Sequence, residues 1–309
     1  MNAPFVPPRP PVAAAGPSLP GFLAAVRSNA LGMWGAEAYE QDVVVGRAFG
    51  RPMLLLNAPA AIHHVLVENP GGYRRTPASI RILWPITGRG LLLAEGEAWR
   101  LQRRTTAPAL APRTLPLLLP HMAGAVEAAL PALRAQAAAG PVNLLAAMQG
   151  LALDVAARAM FSLESARFGA AMRELLGQFG QRMARPRALD LVLPPWLPSP
   201  GDIARLRFRR RWVALMDGIM AARTATPAAE GPRDLFDLMR AARDPETGAG
   251  FSRAELRDQM ATLIVAGHET TALALFWSLY LLARDHEAQA RLAAEVAGRD
   301  LGASAAAEA

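Results

Sequence analysis

The stretch that most constrains the fold is MATLIVAGHETTALALFWSLYLLA at residues 260–283. Ser252 and Glu255 precede it with the spacing of a helix capping box. Apolar or small residues then recur along one helical face, at positions 256, 260, 263, 267, 270 and 274. A charge at mid-membrane costs about 2.5–3.5 kcal/mol, so Glu269 disfavours a membrane span. We predict a long buried helix of a soluble protein without a membrane anchor.

The hexapeptide AGHETT at 266–271 is unusual inside this helix. Ala266, Gly267 and Thr270 share one face, which is therefore small and flat and carries one hydroxyl. Glycine costs a helix interior about 0.5–1 kcal/mol and is tolerated best where something approaches the backbone closely. Thr270 can bond back to a carbonyl one turn earlier, and Glu269 lies on the adjacent face. These residues fit either chemistry on a small bound molecule or a helix-packing notch with Glu269 in a buried ion pair.

The rest of the chain indicates a mainly α fold with a small N-terminal β element. The runs VVVGRAF and PMLLL flank Gly50-Arg51 and predict a β-hairpin. A Pro-rich leader at residues 1–25 is expected to be extended, and residues 26–309 to form the folded part. A short helix is expected within 58–70 that stops before Pro70, followed by a turn-rich loop from Pro70 to Gly90 and by proline punctuation at 116, 120 and 131. Further helices are predicted at 95–110, 141–163, 165–185, 202–223, 234–244 and 286–296.

Composition excludes several kinds of site. There are no Cys residues, which rules out disulfides, zinc-thiolate centres and Cys nucleophiles formed by these residues. All 33 basic residues are Arg, and the formal net charge is +7. The densest cluster, RLRFRRRW at 205–212, interleaves Arg with aromatic residues as nucleic-acid sites do. No reader motif accompanies it, so we interpret it as a solvated helix face with two core aromatics and predict no nucleic-acid partner.

AGHETT resembles the oxygen-activation signature [AG]-G-x-[DE]-T-T of the cytochrome P-450 monooxygenases. The resemblance implies that this helix crosses the distal face of a haem. It further implies that Ala266 and Gly267 line the haem, Thr270 holds the bound oxygen, and Glu269 takes part in proton delivery. His268 occupies the variable position of the signature, and we interpret it as a helix-face histidine rather than an iron ligand.

A second segment, AEGEAWRLQRR at 94–104, resembles the W-x-x-x-R segment of the same family. Trp99 and Arg103 lie four residues apart on one helix face, so the indole N–H and the guanidinium can donate to one carboxylate. The resemblance implies that this carboxylate is a haem propionate. The alternative for the pair taken alone is surface stacking of the two side chains.

The resemblance covers nearly all of residues 40–297 in family order, from the hairpin and GYRRTPAS to HEAQARLAAEV. Two later features of the family, an E-x-x-R helix and a Gly-rich loop with the Cys thiolate that ligates iron, do not follow the oxygen-binding helix. The E-x-x-R matches at 164–167 and 230–233 precede that helix and are interpreted as chance. We therefore expect an incomplete cytochrome P-450 domain at 26–309, without its C-terminal haem-thiolate part and without a metal ligand of its own.

The resemblance implies a haem-dependent monooxygenase that inserts one atom of O₂ into an organic substrate, with this chain alone inactive. The segments at 77–88 and 189–200 would border the pocket, and their apolar character favours a hydrophobic substrate. A bacterial-type cytoplasmic enzyme with a ferredoxin-type electron donor is expected. The alternative is a non-catalytic helical binding protein, or a pseudogene product, derived from such an enzyme.

Overall fold

The computed structural model describes residues 6, 12–14, 16–48, 51–162, 168–187, 189–190, 193, 196–225 and 231–302. Within these residues the strands are β1 (Val43–Ala48) and β2 (Arg51–Leu56). The α-helices, numbered in chain order, are α1 (Leu19–Ser28), α2 (Glu37–Glu40), α3 (Pro59–His63), α4 (Pro77–Thr87), α5 (Gly96–Thr106), α6 (Leu115–Ala139), α7 (Leu144–Phe161), α8 (Gly169–Gln178), α9 (Asp202–Thr224), α10 (Leu235–Ala241), α11 (Arg253–Arg284) and α12 (His286–Val296).

The chain divides into two compact units. One comprises Met1–Val6, Ile86–Gly177 and Arg207–Ala309, and the other comprises Pro7–Pro85 and Gln178–Leu206. In the first unit, α11 packs against α7, and α7 packs against α6. Met148 and Ala152 of α7 meet Ala272 of α11 in a buried cluster. This unit therefore has a core of packed helices, as the 3.6-residue periodicity predicts.

The long helix α11 begins where the sequence predicts. The Ser252 hydroxyl accepts a hydrogen bond from the Glu255 N–H, and the Glu255 carboxylate accepts one from the Ser252 N–H. The two bonds satisfy backbone donors that the first helical turn leaves unpaired. The capping box is therefore confirmed. Because it fixes the residue at which α11 begins, it also fixes the helix face on which each residue of 266–271 lies.

The second unit contains the predicted hairpin. β1 and β2 pair antiparallel in a register that sets Val43 opposite Leu56 and Ala48 opposite Arg51. The predicted turn residue Gly50 lies outside the described residues. The prediction of an extended leader at residues 1–25 is partly wrong, because Leu19–Ser28 forms α1. This helix has Pro20 in its first turn. Proline is tolerated there because the first N–H groups of a helix have no intrahelical partner.

The prediction of a turn-rich loop from Pro70 to Gly90 is wrong for about half of these residues. α4 spans Pro77–Thr87, starting with a proline and burying Ala78, Ile82 and Ile86 at four-residue spacing. The prolines predicted to punctuate residues 115–139 also lie inside a single helix, α6. Packing of α6 along α7 offsets the hydrogen bonds that Pro120 and Pro131 cannot make. The buried side chains of α4 and the contact of α6 with α7 thus outweigh the local preference of proline.

The arginine-rich helix α9 is only partly a solvated face. Phe208 and Trp212 are buried and stacked, with ring centroids 6.3 Å apart, which confirms the prediction of two core aromatics. Arg205, however, is buried, and its Nη2 lies 2.6 Å from Oδ2 of Asp190. Burial opposes ionisation of Asp190, but hydrogen bonds from Arg205 and the Arg187 N–H outweigh it and hold the pKa of that carboxyl below its usual value.

Three helical segments of the described residues have the length and apolar character of membrane spans. They are Pro112–Ala139, Leu144–Phe161 and Arg253–Arg284. The prediction that 259–283 is buried holds for its first turns, where Met260, Ala261 and Ile264 are buried. It is wrong for the last turns, where Leu273, Trp277 and Leu281 are exposed.

Candidate functional site

The hexapeptide 266–271 lies where α11 changes from a buried helix to a half-exposed one. The face of α11 that continues from Ile264 through His268 to Ala272 is buried. The face that carries Ala266, Gly267 and Thr270 is exposed. The packing face of α11 is therefore rotated away from these three residues, and the packing-notch alternative does not describe them in this structure.

The exposed face is flat at its centre. A Cβ atom added at Gly267 would meet no atom within 4 Å outside its own helix backbone. The Thr270 hydroxyl donates a hydrogen bond to the carbonyl oxygen of Ala266, as the sequence predicts. Because that proton is committed within the helix, the Thr270 oxygen faces its surroundings as a hydrogen-bond acceptor. Glu269 is exposed beside it, and within the described residues its carboxylate has no partner.

His268 points away from this open face. It is buried, and its Nε2 lies 3.1 Å from the carbonyl oxygen of Gln149 on α7. Since that ring nitrogen is engaged with α7, His268 contributes to the packing of two helices. The structure thus places His268 on the packing face of α11, and the expectation that it does not ligate iron stays a prediction.

Three of the other histidines, at positions 63, 64 and 121, also have hydrogen-bond partners. His63 and His64 each place Nδ1 against the Glu68 carboxylate, at 3.2 and 2.9 Å. His121 lies 3.0 Å from the carbonyl oxygen of Arg233. Over the parts of the chain that the structure describes, no three His, Asp or Glu side chains are grouped so as to hold a metal ion.

Trp99 and Arg103 lie on α5 and are both exposed, Trp99 by 42%. The neighbouring arginines of α5 are paired: Arg100 with Glu97, and Arg104 with Asp244 and Glu246. Neither the Trp99 nor the Arg103 side chain has a hydrogen-bond or ion-pair partner among the described residues. Their donors are thus available to an acceptor from outside this part of the chain.

Helix α5 is tied to α11 by residues that the sequence interpretation missed. The Gln259 side chain donates to Oε1 of Gln102 over 2.7 Å, and the Asp258 carboxylate accepts the Arg89 N–H over 2.9 Å. The signal available in the sequence was the polar pair Asp258-Gln259 in an apolar helix and the close glycines 88 and 90. These contacts bring the Trp99 segment to the same helix that carries Thr270.

Comparison with known proteins decides the family. The family model for cytochrome P450 matches residues 36–299. The chain belongs to the cytochrome P450 family. Cyclooctatin synthase of Streptomyces melanosporofaciens is 32% identical over 266 residues, covering 82% of this chain and 55% of that protein. Cyclooctat-9-en-7-ol 5-monooxygenase of the same organism is 29% identical over 213 residues, covering 68% of this chain and 45% of that protein.

Solved structures agree on the fold. The heme domain of cytochrome P450DA superposes with a TM-score of 0.68 at 22% identity, covering 84% of this chain and 57% of that one. The predicted mainly α cytochrome P450 fold with a small β element is thereby confirmed. This cytochrome P450 chain spans about half the length of the curated relatives it matches.

Two further predictions concern segments that the structure describes in part. Of the segments expected to border a substrate pocket, 77–88 is almost wholly helix α4, while 189–200 includes four residues outside the described ones. The E-x-x-R match at 164–167 also lies outside the described residues, as does Glu230 of the second match. The pocket role of 77–88 and 189–200, and the interpretation of the two E-x-x-R matches as chance, stay predictions for this cytochrome P450.

Proposed function

We propose that this chain forms the distal, oxygen-binding side of the haem site of a cytochrome P450 monooxygenase. The observation that carries the proposal is the open face of α11, where Ala266 and Gly267 leave room beside the Thr270 hydroxyl. A planar ligand needs a flat, small-residue surface, and a side chain at Gly267 would project from this exposed face. The residues present fit a haem on this side.

The donors on α5 fit the acidic edge of the same ligand. Trp99 offers one indole N–H and Arg103 a guanidinium fork, and both lack a described partner. Hydrogen bonds to a charged group are worth about 1.5–3 kcal/mol each, so the pair would anchor a propionate firmly. Arg also matches the planar geometry of a carboxylate better than Lys does.

When bound, haem supplies the iron centre at which O₂ is split, one atom entering the substrate and the other leaving as water with two electrons and two protons from a donor. Thr270 would orient the oxygen by turning its hydroxyl proton from the Ala266 carbonyl oxygen toward it, and Glu269, exposed one residue earlier, would exchange protons with solvent. The name of one relative, a monooxygenase acting on cyclooctat-9-en-7-ol, supports this class of reaction. A hydrophobic substrate, a ferredoxin-type donor and a cytoplasmic location remain proposals from the family resemblance.

The iron ligand is a separate matter. The 309 residues include no Cys, so none of them supplies the thiolate that the resemblance implies. We therefore propose that these residues alone bind the porphyrin through its face and its propionates and are inactive as a monooxygenase.

A glycine pair tests the proposal with matched controls. Gly267→Leu should abolish saturable binding of iron-free protoporphyrin IX, which no histidine can ligate, because the side chain fills the flat face. Gly218→Leu on α9 makes the same change at another exposed helical glycine with open space around its Cβ and should leave binding intact. Both variants should fold, since Leu exceeds Gly in helix propensity by about 0.8 kcal/mol. Equal binding by both variants would favour the non-catalytic alternative.

A further inference from the structure

Two side-chain amides join helix α5, helix α11 and the loop between α4 and α5. Gln259 Nε2 donates to Gln102 Oε1 over 2.7 Å, and Gln102 Nε2 donates to the Arg89 carbonyl oxygen over 3.0 Å. Gln259 Oε1 accepts the Leu91 N–H over 3.1 Å. We refer to Gln102 and Gln259 as the amide clamp.

The clamp has one arrangement of donors and acceptors. Each amide oxygen accepts and each amide nitrogen donates around the circuit, so turning either side chain over would set oxygen against oxygen. Gln259 is only 1% exposed, which leaves little water to replace a lost bond. The geometry of α5 relative to α11 is therefore specified by a pair of neutral, complementary side chains.

The loop that the clamp grips lies directly on α11. Gly88 has φ +58°, and a Cβ there would collide with the Asp258 carboxylate. A Cβ at Gly90 would collide with the Thr262 hydroxyl and the Asp258 backbone. Only glycine allows this approach, so the loop is held by close packing as well as by the clamp.

Gln259 of the clamp lies on the same side of α11 as Ala266 and Thr270 of the exposed face. Gln259 precedes Ala266 by seven residues and Thr270 by eleven, and at 100° per residue both later side chains leave the helix within about 20° of the Gln259 direction. On α5, Gln102 is one helical turn after Trp99 and directly before Arg103. The clamp thus holds the segment of Trp99 and Arg103, the two proposed propionate donors, beside the end of the open face that is nearer to Gln259.

We propose that Gln102 and Gln259 are positioning residues that set where Trp99 and Arg103 stand relative to the Ala266–Thr270 face, and so determine porphyrin affinity. This inference rests on the proposed function. Hydrogen-bond donors must be held within about 0.5 Å of their productive geometry to be effective. Trp99 and Arg103 are exposed with no partner of their own among the described residues, so their placement depends on how α5 is held.

Gln259→Glu provides a test that a purely packing role would not reproduce. When the introduced carboxyl group is protonated, it keeps the wild-type pattern, with its O–H donating to Gln102 and its C=O accepting the Leu91 N–H. When it is ionised, it has no donor for Gln102. Burial favours the protonated form. The charged residues beside the clamp are Asp258 on α11, which pairs with Arg209 and Arg257, together with Arg89 of the loop and Arg103 of α5. The variant should behave like wild type near pH 5 and lose the clamp near pH 9.

The placement of α5 can be measured without any ligand. Because the chain has no Cys, Glu97→Cys on α5 and Ser278→Cys on α11 give two unique, exposed sites for spin labels. Pulsed electron spin resonance then reports the distribution of the distance between them. We expect the distribution of Gln259→Glu to broaden at pH 9 and to narrow at pH 5, while the wild-type distribution is the same at both.

Protoporphyrin IX affinity is measured on the same proteins, always relative to wild type at the same pH. We expect a loss of about tenfold or more at pH 9 that recovers at pH 5. Gln102→Met should show the loss at both pH values. Because Gln102 is half-exposed, this variant tests the clamp even if Gln259→Glu, at a buried position, fails to fold. Distances or affinities of Gln259→Glu that match wild type at pH 9 would overturn the proposal. Unchanged affinity in Trp99→Phe and Arg103→Gln would instead overturn the haem site itself, and this inference with it.

Discussion

Arg104 Nε lies 2.9 Å from Oδ1 of Asp244, and this ion pair joins α5 to the turn that precedes α11. The Asp244 side chain is fully buried and also accepts the Thr247 hydroxyl over 2.7 Å. The pair is a second tie between the segment that carries Trp99 and the segment that leads into the oxygen-signature helix. It adds to the amide clamp at the other side of α5.

The Arg104–Asp244 pair predicts acid sensitivity. Hydrogen bonds, first from Arg104 and then from Thr247, lower the pKa of Asp244 from 3.8 to about 2. A lowered folded-state pKa contributes stability that is present above 3.8 and is lost as the pH falls through about 2. We expect the urea midpoint of the wild type to fall more steeply between these pH values than that of Asp244→Asn. Asp42→Asn, at an exposed carboxylate of the other unit, should retain the wild-type slope.

Porphyrin binding should depend on Trp99 and Arg103 but not on their neighbour. Trp99→Phe and Arg103→Gln each remove donors to a carboxylate, and a loss of about 1.5–3 kcal/mol corresponds to roughly ten- to hundredfold weaker binding. Arg100→Gln removes another exposed charge of α5, one that is paired with Glu97, and should change affinity less than twofold. Absorbance titration with haemin measures all three. Equal losses in all three variants would indicate a general charge effect.

Close approach of the loop to α11 makes Gly90 sensitive to a single methyl group. Gly90→Ala should lower the free energy of unfolding by about 1–3 kcal/mol, because its Cβ would press on Thr262 and the Asp258 backbone. Gly150→Ala on α7 has open space and should raise stability by about 0.5–1 kcal/mol. Urea denaturation of the two variants gives the comparison. A neutral Gly90→Ala would show that the loop does not lie on α11.

Local patterns predicted the parts of the fold that local interactions determine. The capping box at Ser252, the β-hairpin and the Thr270 back-bond depend on residues a few positions apart, and the structure contains all of them. Helix α4 was missed because Pro77 and Pro85 are typical of loops, while one of its stabilising contacts, from Arg81 to the Leu197 carbonyl oxygen, spans 116 positions of the sequence. The same reasoning explains why α6 continues through two prolines.

The site was predicted one helix at a time, and its assembly was not. The residues of the signature and the Trp99–Arg103 pair follow from their spacing and from the family resemblance. Gln102 and Gln259 are 157 positions apart, and nothing in either local segment indicates that they pair. Buried arginines such as Arg223, held by Asp234 and Asp237 at 2.7 and 2.8 Å, were likewise invisible to composition. Long-range polar contacts of this kind require the folded chain.

Carbon monoxide should reveal the absence of a thiolate ligand. The haemin-loaded, reduced 309-residue chain should give no thiolate-type Soret band on addition of carbon monoxide, because none of its residues is Cys. The same sample without carbon monoxide and a haemin solution without protein serve as controls. A thiolate-type band would contradict the proposal that none of the 309 residues supplies a thiolate ligand.

Replacing His268 distinguishes a structural role from an iron-binding role for a residue inside the signature. Its ring is buried against α7 and its Nε2 is engaged with the Gln149 carbonyl, so it cannot also face the open side of α11. His268→Leu should lower the free energy of unfolding by about 1 kcal/mol, the net worth of one hydrogen bond. Haemin affinity and the haemin absorption spectrum should stay at their wild-type values. A changed spectrum would mean that His268 reaches the iron, and the open face of α11 would then no longer be the surface on which haem lies.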